Sequence, residues 1–88
     1  MITVHAMVFG KVQGVFFRGS TCKKARSLSI NGWVRNNSNG TVELEATGEE
    51  DNINKLIAWL QRGPMLARVS KVDISRCELK LFEKFSLE

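Results

Sequence analysis

The sequence predicts an α+β domain in which two helices cover one face of an antiparallel sheet. Apolar residues alternate along residues 2–8 and 42–46, which is typical of strands, and recur every three to four residues in two other segments, which is typical of helices. The predicted order of elements is strand, helix, strand, strand, helix, strand across the 88 residues. A chain of this length accommodates one domain, so residues 1–88 are expected to form a single one.

Spacing and turn residues place the first strand and the first helix. The alternating apolar residues of the strand are Ile2, Val4, Ala6 and Val8. Residues 20–30 predict a helix, which Ser20 or Thr21 can cap. Asn31 and Gly32 predict its end, since both residue types tolerate the left-handed conformation that ends helices.

A hairpin is predicted between strands at residues 33–37 and 41–47. The Asn-Gly pair at positions 39 and 40 favours a tight turn in which both positions have positive φ, so the strands are expected to pair antiparallel. Asn36 and Asn37 are unusual at a strand end, because asparagine is depleted in strands. A polar function and a side chain that holds its own hairpin are both open explanations.

The rest of the chain predicts a helix and a final strand. Residues 49–62 carry apolar residues at helical spacing, and Gly63-Pro64 ends that helix. Val69, Val72 and Ile74 indicate a strand, but the path of the chain after Ile74 is not predicted. The resulting βαββαβ order is that of a ferredoxin-like α/β sandwich.

Charge and apolar patterning limit the compartments and the classes of partner that can be expected. The formal charge of +4 suits an anionic ligand and is too small to indicate nucleic acid by itself. No apolar stretch is long enough for a membrane span, and the N-terminus lacks the pattern of a secretory signal, so a cytoplasmic protein is expected. Cys22 and Cys77 are expected to be free thiols, although spacing alone leaves a disulfide open.

Residues 10–18, GKVQGVFFR, form the most informative segment, because they connect the first strand to the first helix. Such a loop can direct successive backbone N–H groups and the positive helix end at one anion. Gly10 and Gly14 permit tight bends, and Arg18 offers a planar fork of donors that matches phosphate oxygens. An ordinary loop with two turn glycines and a surface arginine is the open alternative. The G-x-x-x-x-G-K-[ST] and G-x-G-x-x-G nucleotide loops are both missing.

Together these segments resemble the acylphosphatase family. Residues 10–18 match its G-x-V-Q-G-V-x-[FY]-R stretch. Residues 32–43 match G-W-V-R-N-x-x-D-G-x-V-E, except that Asn39 stands where the family usually has Asp. Residues 63–69 resemble G-P-x-x-A-x-V. The resemblance covers nearly the whole chain, and the Asn39 change concerns the turn more than the chemistry.

The resemblance implies hydrolysis of the carboxyl–phosphate bond of acyl phosphates to a carboxylate and inorganic phosphate, without a metal or another cofactor. It implies that Arg18 binds the phosphate and that Asn36 holds the attacking water. The other phosphate-binding positions, through backbone N–H groups, are Gln13, Gly14, Val15, Phe16 and Phe17. The expected partner is a small-molecule acyl phosphate, with no nucleic acid and no membrane, and a monomer is expected. Selectivity for the acyl chain is expected to be low.

The implied reaction is chemically reasonable without a protein acid or base. A carboxylate leaving group, whose conjugate acid has a pKa of about 4, needs no general acid. Phosphoryl transfer depends mostly on positioning and charge stabilisation. Because an asparagine amide is a poor base, the water proton is expected to pass to a phosphoryl oxygen of the substrate.

Two non-catalytic alternatives are a ferredoxin-like module that only binds anions and one that binds RNA. RNA-binding domains of this element order carry an aromatic stretch that this sequence lacks. His5 is expected to be a solvated or hydrogen-bonded residue on the sheet face.

Overall fold

A computed structural model describes every residue from Met1 to Glu88. Its elements, in chain order, are β1 (Ile2–Lys11), α1 (Phe17–Ser27), β2 (Asn31–Asn36), β3 (Val42–Gly48), α2 (Glu50–Arg62), β4 (Arg68–Cys77) and β5 (Phe85–Leu87). The strands form one sheet in the order β4-β1-β3-β2-β5, and both helices pack on one face of it. The predicted α+β class and βαββαβ order are confirmed, and β5 is an addition to them.

The core lies between the sheet and the two helices. β1 pairs antiparallel with both β3 and β4, and β2 pairs antiparallel with β3. The predicted inward face of β1 is confirmed at Val4, Ala6 and Val8, which are buried. From α2, Ile53, Leu56 and Leu60 cover them. Removing a side chain of this size from water contributes about 1.5–3 kcal/mol.

The sheet is mixed rather than wholly antiparallel, because β5 pairs parallel with β2. After β4 at one edge of the sheet, residues 78–84 lead to the opposite edge, where β5 begins. The Lys80 backbone N–H donates to Thr3 Oγ1 at 2.9 Å, and the Asn31 side chain donates to Phe82 O at 2.9 Å. Phe85 is then buried in the core. Three strand residues are too few to give a recognisable alternation, which explains why the sequence did not predict β5.

The first helix begins at Phe17, earlier than the predicted start at Ser20 or Thr21. Phe16 precedes it with φ 61° and ψ 26°, and no side chain caps the helix. Ser20 N donates to Phe16 O at 3.0 Å, and Thr21 Oγ1 donates to Phe17 O at 2.8 Å. Both predicted caps are therefore inside the first turns. The turn at Phe16, rather than a capping side chain, brings the chain into the helix.

The same helix ends at Ser27, before the predicted end at Ile30. Ser29 adopts the left-handed conformation with φ 56°. Its N–H donates to Arg26 O, and Ile30 N donates to Ala25 O at 2.9 Å. This is the Schellman arrangement, in which the residue after the left-handed position contacts the helix. Because Ile30 is buried, its apolar packing holds Ser29 in a left-handed conformation that Gly or Asn usually adopts.

The β2–β3 hairpin is confirmed, but its turn is not the predicted one. Gly40 has φ 90°, whereas Asn39 is not among the positive-φ residues. Gly40 N donates to Asn37 O at 3.2 Å, and Asn37 N donates to Thr41 O at 2.9 Å. This is a three-residue loop that ends in one left-handed glycine. Asn39 Oδ1 accepts from Thr41 N and Oγ1 at 3.2 and 2.7 Å, as an Asp carboxylate could, so the departure at this position preserves the turn.

The sheet face opposite the helices carries an ionic cluster around Glu43. His5 Nε2 lies 2.6 Å from Glu43 Oε2. Arg35 and Asn37 donate to Glu43 Oε1 at 2.9 and 3.2 Å. The hydrogen bond with His5, followed by those from Arg35 and Asn37, lowers the pKa of Glu43 against the opposing effect of burial. His5 is thus a hydrogen-bonded sheet-face residue, as predicted.

Two further expectations concern the thiols and the membrane. Cys22 and Cys77 are free thiols. No helix of the structure has the length and apolar character needed to cross a membrane.

Replacing Gly32 by Ala should destabilise the fold by about 3 kcal/mol or more, since strain and a backbone clash combine. Gly32 lies in β2 with φ 152°, and an added Cβ would lie 1.9 Å from Glu45 O. Urea unfolding measures the change. As the control, Gly19→Ala lies in α1 where an added Cβ meets nothing within 4 Å, so it should stabilise by about 0.5–1 kcal/mol. Equal stability of the two variants would contradict this account of Gly32.

Folding stability should depend on pH through Glu43. Because its folded pKa lies below the ordinary value of 4.5, its contribution is present above that value and is lost as the pH falls through the folded pKa. Urea unfolding at pH 7 and at pH 3 should therefore show a smaller acid-induced loss for Glu43→Gln than for wild type. Glu83→Gln removes an exposed carboxylate outside the cluster and controls for charge. Identical losses in wild type and Glu43→Gln would refute the link.

Candidate active site

A cavity of about 360 Å³ opens where the β1–α1 loop meets the ends of β2 and β5. It is lined by Val12, Gly14, Phe16, Phe17, Arg18, Gly19, Asn36 and Leu87. Arg18 and Asn36, predicted from two separate segments, therefore share one cavity. Arg18 is the only ionisable side chain among the lining residues, so the local charge favours an anion.

The loop between β1 and α1 has the geometry of an anion-binding nest. Gly14 has φ 74° and Phe16 has φ 61°, whereas Val15 between them is not a positive-φ residue. Such alternation turns successive N–H groups toward one side of the chain. None of the backbone hydrogen bonds outside regular elements has a donor between Gln13 and Gly19. These N–H groups and the positive end of α1 are therefore available to an anion.

Position 10 requires glycine, because the backbones of β1 and β4 approach each other closely there. The register of the β1–β4 pair shifts between Phe9 and Gly10. Gly10 has φ 126°, and an added Cβ would lie 2.1 Å from Arg68 O. This irregularity directs the end of β1 into the loop, consistent with the bend predicted from the sequence.

Buried side chains hold the loop in place from behind. Val12, Val15 and Phe17 belong to the hydrophobic core. The ring centroids of Phe17 and Trp59 are 5.7 Å apart. Val15 is buried and does not line the cavity, whereas Phe17 is buried and lines it. Phosphate binding by the backbone N–H groups of these two residues stays a prediction.

Gln13 has a role in the structure that the sequence did not predict. Its side-chain Nε2 donates to Asn37 O at 2.8 Å and to Thr41 O at 2.9 Å. These bonds join the loop to the β2–β3 hairpin beside Asn36. Gln13 does not line the cavity, although its backbone N–H was predicted to bind phosphate. Its position in a loop offers no local sequence signal for partners 24 and 28 residues away.

The Arg18 side chain is oriented by Glu88, the residue that follows β5. Its Nη1 donates to the main-chain oxygen of Glu88 at 2.7 Å. Glu88 N in turn donates to Val34 O at 2.8 Å, which fixes this end of the chain along β2. The guanidinium has five N–H donors, so others remain for a ligand. Leu87, which also lines the cavity, was missed with the rest of β5.

The two asparagines at the end of β2 have different environments. Asn37 Nδ2 donates to Thr41 Oγ1 at 3.0 Å and to Glu43 Oε1 at 3.2 Å, so its side chain holds the hairpin. Asn36 is exposed at the cavity and has the same strand parity as Val34, whose side chain faces the core. The structural explanation left open by the sequence therefore applies to Asn37, and Asn36 is available to a ligand.

The lining restricts the chemistry that the site can perform. It offers one cation, a set of backbone donors and one neutral amide, and it offers no carboxylate, thiol or imidazole. His5 is paired on the other side of the sheet. Cys22 is buried in α1, and burial raises the pKa of its thiol against the opposing effects of Arg26 and Arg18. A reaction at this site would therefore use water rather than a protein nucleophile.

Comparison with known proteins identifies the family. The acylphosphatase family model matches residues 4–87. An acylphosphatase of Acaryochloris marina is 47% identical over 87 residues, which cover 99% of this chain and 94% of the relative. An acylphosphatase of Methylococcus capsulatus is 49% identical over 74 residues, covering 84% of this chain and 80% of the relative.

Solved structures show the same similarity. An acylphosphatase structure from Coxiella burnetii superposes with a TM-score of 0.96 at 46% identity, covering 99% of this chain and 92% of that one. The crystal structure of acylphosphatase from Bacillus subtilis superposes with a TM-score of 0.97 at 28% identity, covering 100% and 99%. With a family match over nearly all of its length, the chain belongs to the acylphosphatase family of hydrolases, as its sequence motifs predicted.

Proposed function

We propose that this chain hydrolyses acyl phosphates with Arg18 and the loop N–H groups holding the phosphoryl group and Asn36 orienting the attacking water. One observation carries the proposal. A single cavity joins Arg18, Asn36 and a loop of alternating φ whose N–H groups have no protein acceptors. Neither Arg18 nor Asn36 belongs to the hydrophobic core, and the arrangement suits a tetrahedral anion.

Binding depends on donors that are fixed before the substrate arrives. The N–H groups of residues 14–18 have no protein acceptors, and buried side chains hold their loop in place. The Arg18 guanidinium presents a planar fork that can contact two phosphoryl oxygens. Because these donors need no reorganisation, they stabilise the charge that develops on the phosphoryl oxygens in the transition state.

The chemical step proceeds as one displacement at phosphorus. The water oxygen forms a bond to phosphorus while the bond from phosphorus to the carboxyl oxygen breaks, and the bonding electron pair leaves with the carboxylate. The Asn36 amide accepts a hydrogen bond from the water and aligns it opposite the leaving group. The water proton passes to a phosphoryl oxygen, since the lining residues include no base. A carboxylate whose conjugate acid has a pKa of about 4 leaves without protonation.

The setting of the reaction belongs to the same proposal. The cavity is complete within one chain, so a monomer needs no second copy to form it. The two free thiols support a reducing compartment such as the cytoplasm.

Arg18→Ala and Asn36→Ala should each lower kcat roughly 10²-fold or more, because removal of a single oxyanion-hole donor has an effect of this size. Arg18→Ala should also raise KM, because the guanidinium binds the phosphoryl group before and during the reaction. Arg18→Lys should rescue poorly, since lysine lacks the planar fork. The measurement is release of phosphate and carboxylate from benzoyl phosphate with EDTA present.

Lys23→Ala is the matched control for Arg18, because Lys23 is an exposed cation on α1 outside this cavity. It removes the same charge and should retain wild-type kcat. Full activity of folded Arg18→Ala would refute its assignment. Absence of turnover by folded wild type would instead favour a non-catalytic anion-binding module.

Replacing Gln13 should impair catalysis from outside the cavity. Gln13→Ala removes two hydrogen bonds that set the loop beside the hairpin and should lower kcat/KM about 10-fold or more, as small misplacements do. Gln13→Glu should lose more, because a carboxylate would face two carbonyl oxygens. The same benzoyl phosphate assay checks both variants. Gln61→Ala, exposed on α2, should behave as wild type, and a fully active Gln13→Glu would contradict the positioning role.

A further inference from the structure

Phe16 departs from two ordinary rules, one for the backbone conformation of bulky residues and one for the burial of apolar side chains. Its backbone is left-handed, with φ 61° and ψ 26°, a region that glycine occupies far more easily than a bulky residue. Its side chain is also 82% exposed, so core packing does not compensate for the backbone. Its neighbours Val15 and Phe17, by contrast, are both buried. Departures from local rules without a structural gain tend to mark functional positions.

The ring of Phe16 belongs to an apolar part of the active-site cavity. Four apolar residues line the cavity, and two of them, Val12 and Phe17, are buried. The other two, Phe16 and Leu87, are 82% and 51% exposed. They come from different segments, the β1–α1 loop and β5, and border the same cavity as Arg18 and Asn36. The cavity therefore has a polar phosphate-binding part and an exposed apolar part.

We infer that Phe16, together with Leu87, binds the acyl group of the substrate and makes the site selective for acyl phosphates with apolar, above all aromatic, acyl groups. The inference rests on the proposed function, because it assumes that the phosphoryl group lies at Arg18. Once that group is bound, the acyl substituent has to extend out of the donor loop toward the cavity opening. An aromatic acyl group can there stack against Phe16 and cover Leu87, whereas an acetyl group is too short to gain much from either.

The backbone and the ring of Phe16 can be tested separately. Alanine also has a Cβ, so Phe16→Ala keeps the left-handed strain and the N–H donor and removes only the ring. The loss should fall on substrates with large apolar acyl groups. A general disturbance of the loop would weaken all substrates and inorganic phosphate alike.

The experiment compares kcat/KM for benzoyl phosphate and acetyl phosphate in wild type, Phe16→Ala and Phe16→Leu. We expect Phe16→Ala to lower the benzoyl-to-acetyl ratio about tenfold, mainly through the KM for benzoyl phosphate. Phe16→Leu should recover part of the ratio, because it restores apolar area. Met65→Ala removes another apolar side chain, 97% exposed and outside the cavity, and should leave the ratio unchanged.

A binding measurement separates this inference from the proposed reaction. Calorimetry with benzylphosphonate and methylphosphonate requires no turnover, and Phe16→Ala should weaken only the benzyl compound, about tenfold. Hydrolysis of both substrates with an unchanged ratio in Phe16→Ala would overturn the acyl-binding role and leave the reaction standing. Absence of hydrolysis with a selective loss of benzylphosphonate binding would overturn the reaction and retain the apolar subsite. Equal weakening of both phosphonates would overturn the subsite.

Discussion

The loop between β1 and α1 has to keep a fixed shape while its N–H groups remain without protein acceptors. Backbone groups normally fix a loop by bonding to one another, so here the side chains carry that task. Val12, Val15 and Phe17 anchor the loop in the core, and Gln13 bonds it to the hairpin. Nearly every other feature of the site depends on this division between buried side chains and outward-facing N–H groups.

This division explains which parts of the site the sequence could predict. The common position of Arg18, Asn36 and the β1–α1 loop at one cavity could be predicted, because these residues lie in two continuous motifs. The positioning role of Gln13 could not, because its acceptors are carbonyl oxygens far along the chain. The start of α1 was misplaced for a related reason. A Ser or Thr cap is the usual signal, but a capping side chain would occupy the N–H groups that the loop leaves open.

The fold was predicted best where periodicity was strong. α2, β1 and β3 have repeated apolar spacing, and these elements, like β2 and β4, were found within a few residues of their predicted bounds. The hairpin was found with a different turn, since a left-handed Gly40 alone closes a three-residue loop. β5 was missed, although it contributes Leu87 to the cavity and leads to Glu88, which orients Arg18. A three-residue strand pairs through long-range contacts that no local pattern reveals.

The parallel pairing of β5 with β2 also affects how the site responds to thermal motion. Phe85 is anchored in the core, but beyond it Leu87 and Glu88 are exposed and held mainly through main-chain bonds to β2. Short exposed edge segments open locally at far lower free energy than a core strand. Local opening of Leu87 and Glu88 would release Arg18 and remove one wall of the cavity while the other four strands stayed paired. Under the proposed role of Arg18, the site can therefore be lost by local opening at this edge without global unfolding of the domain.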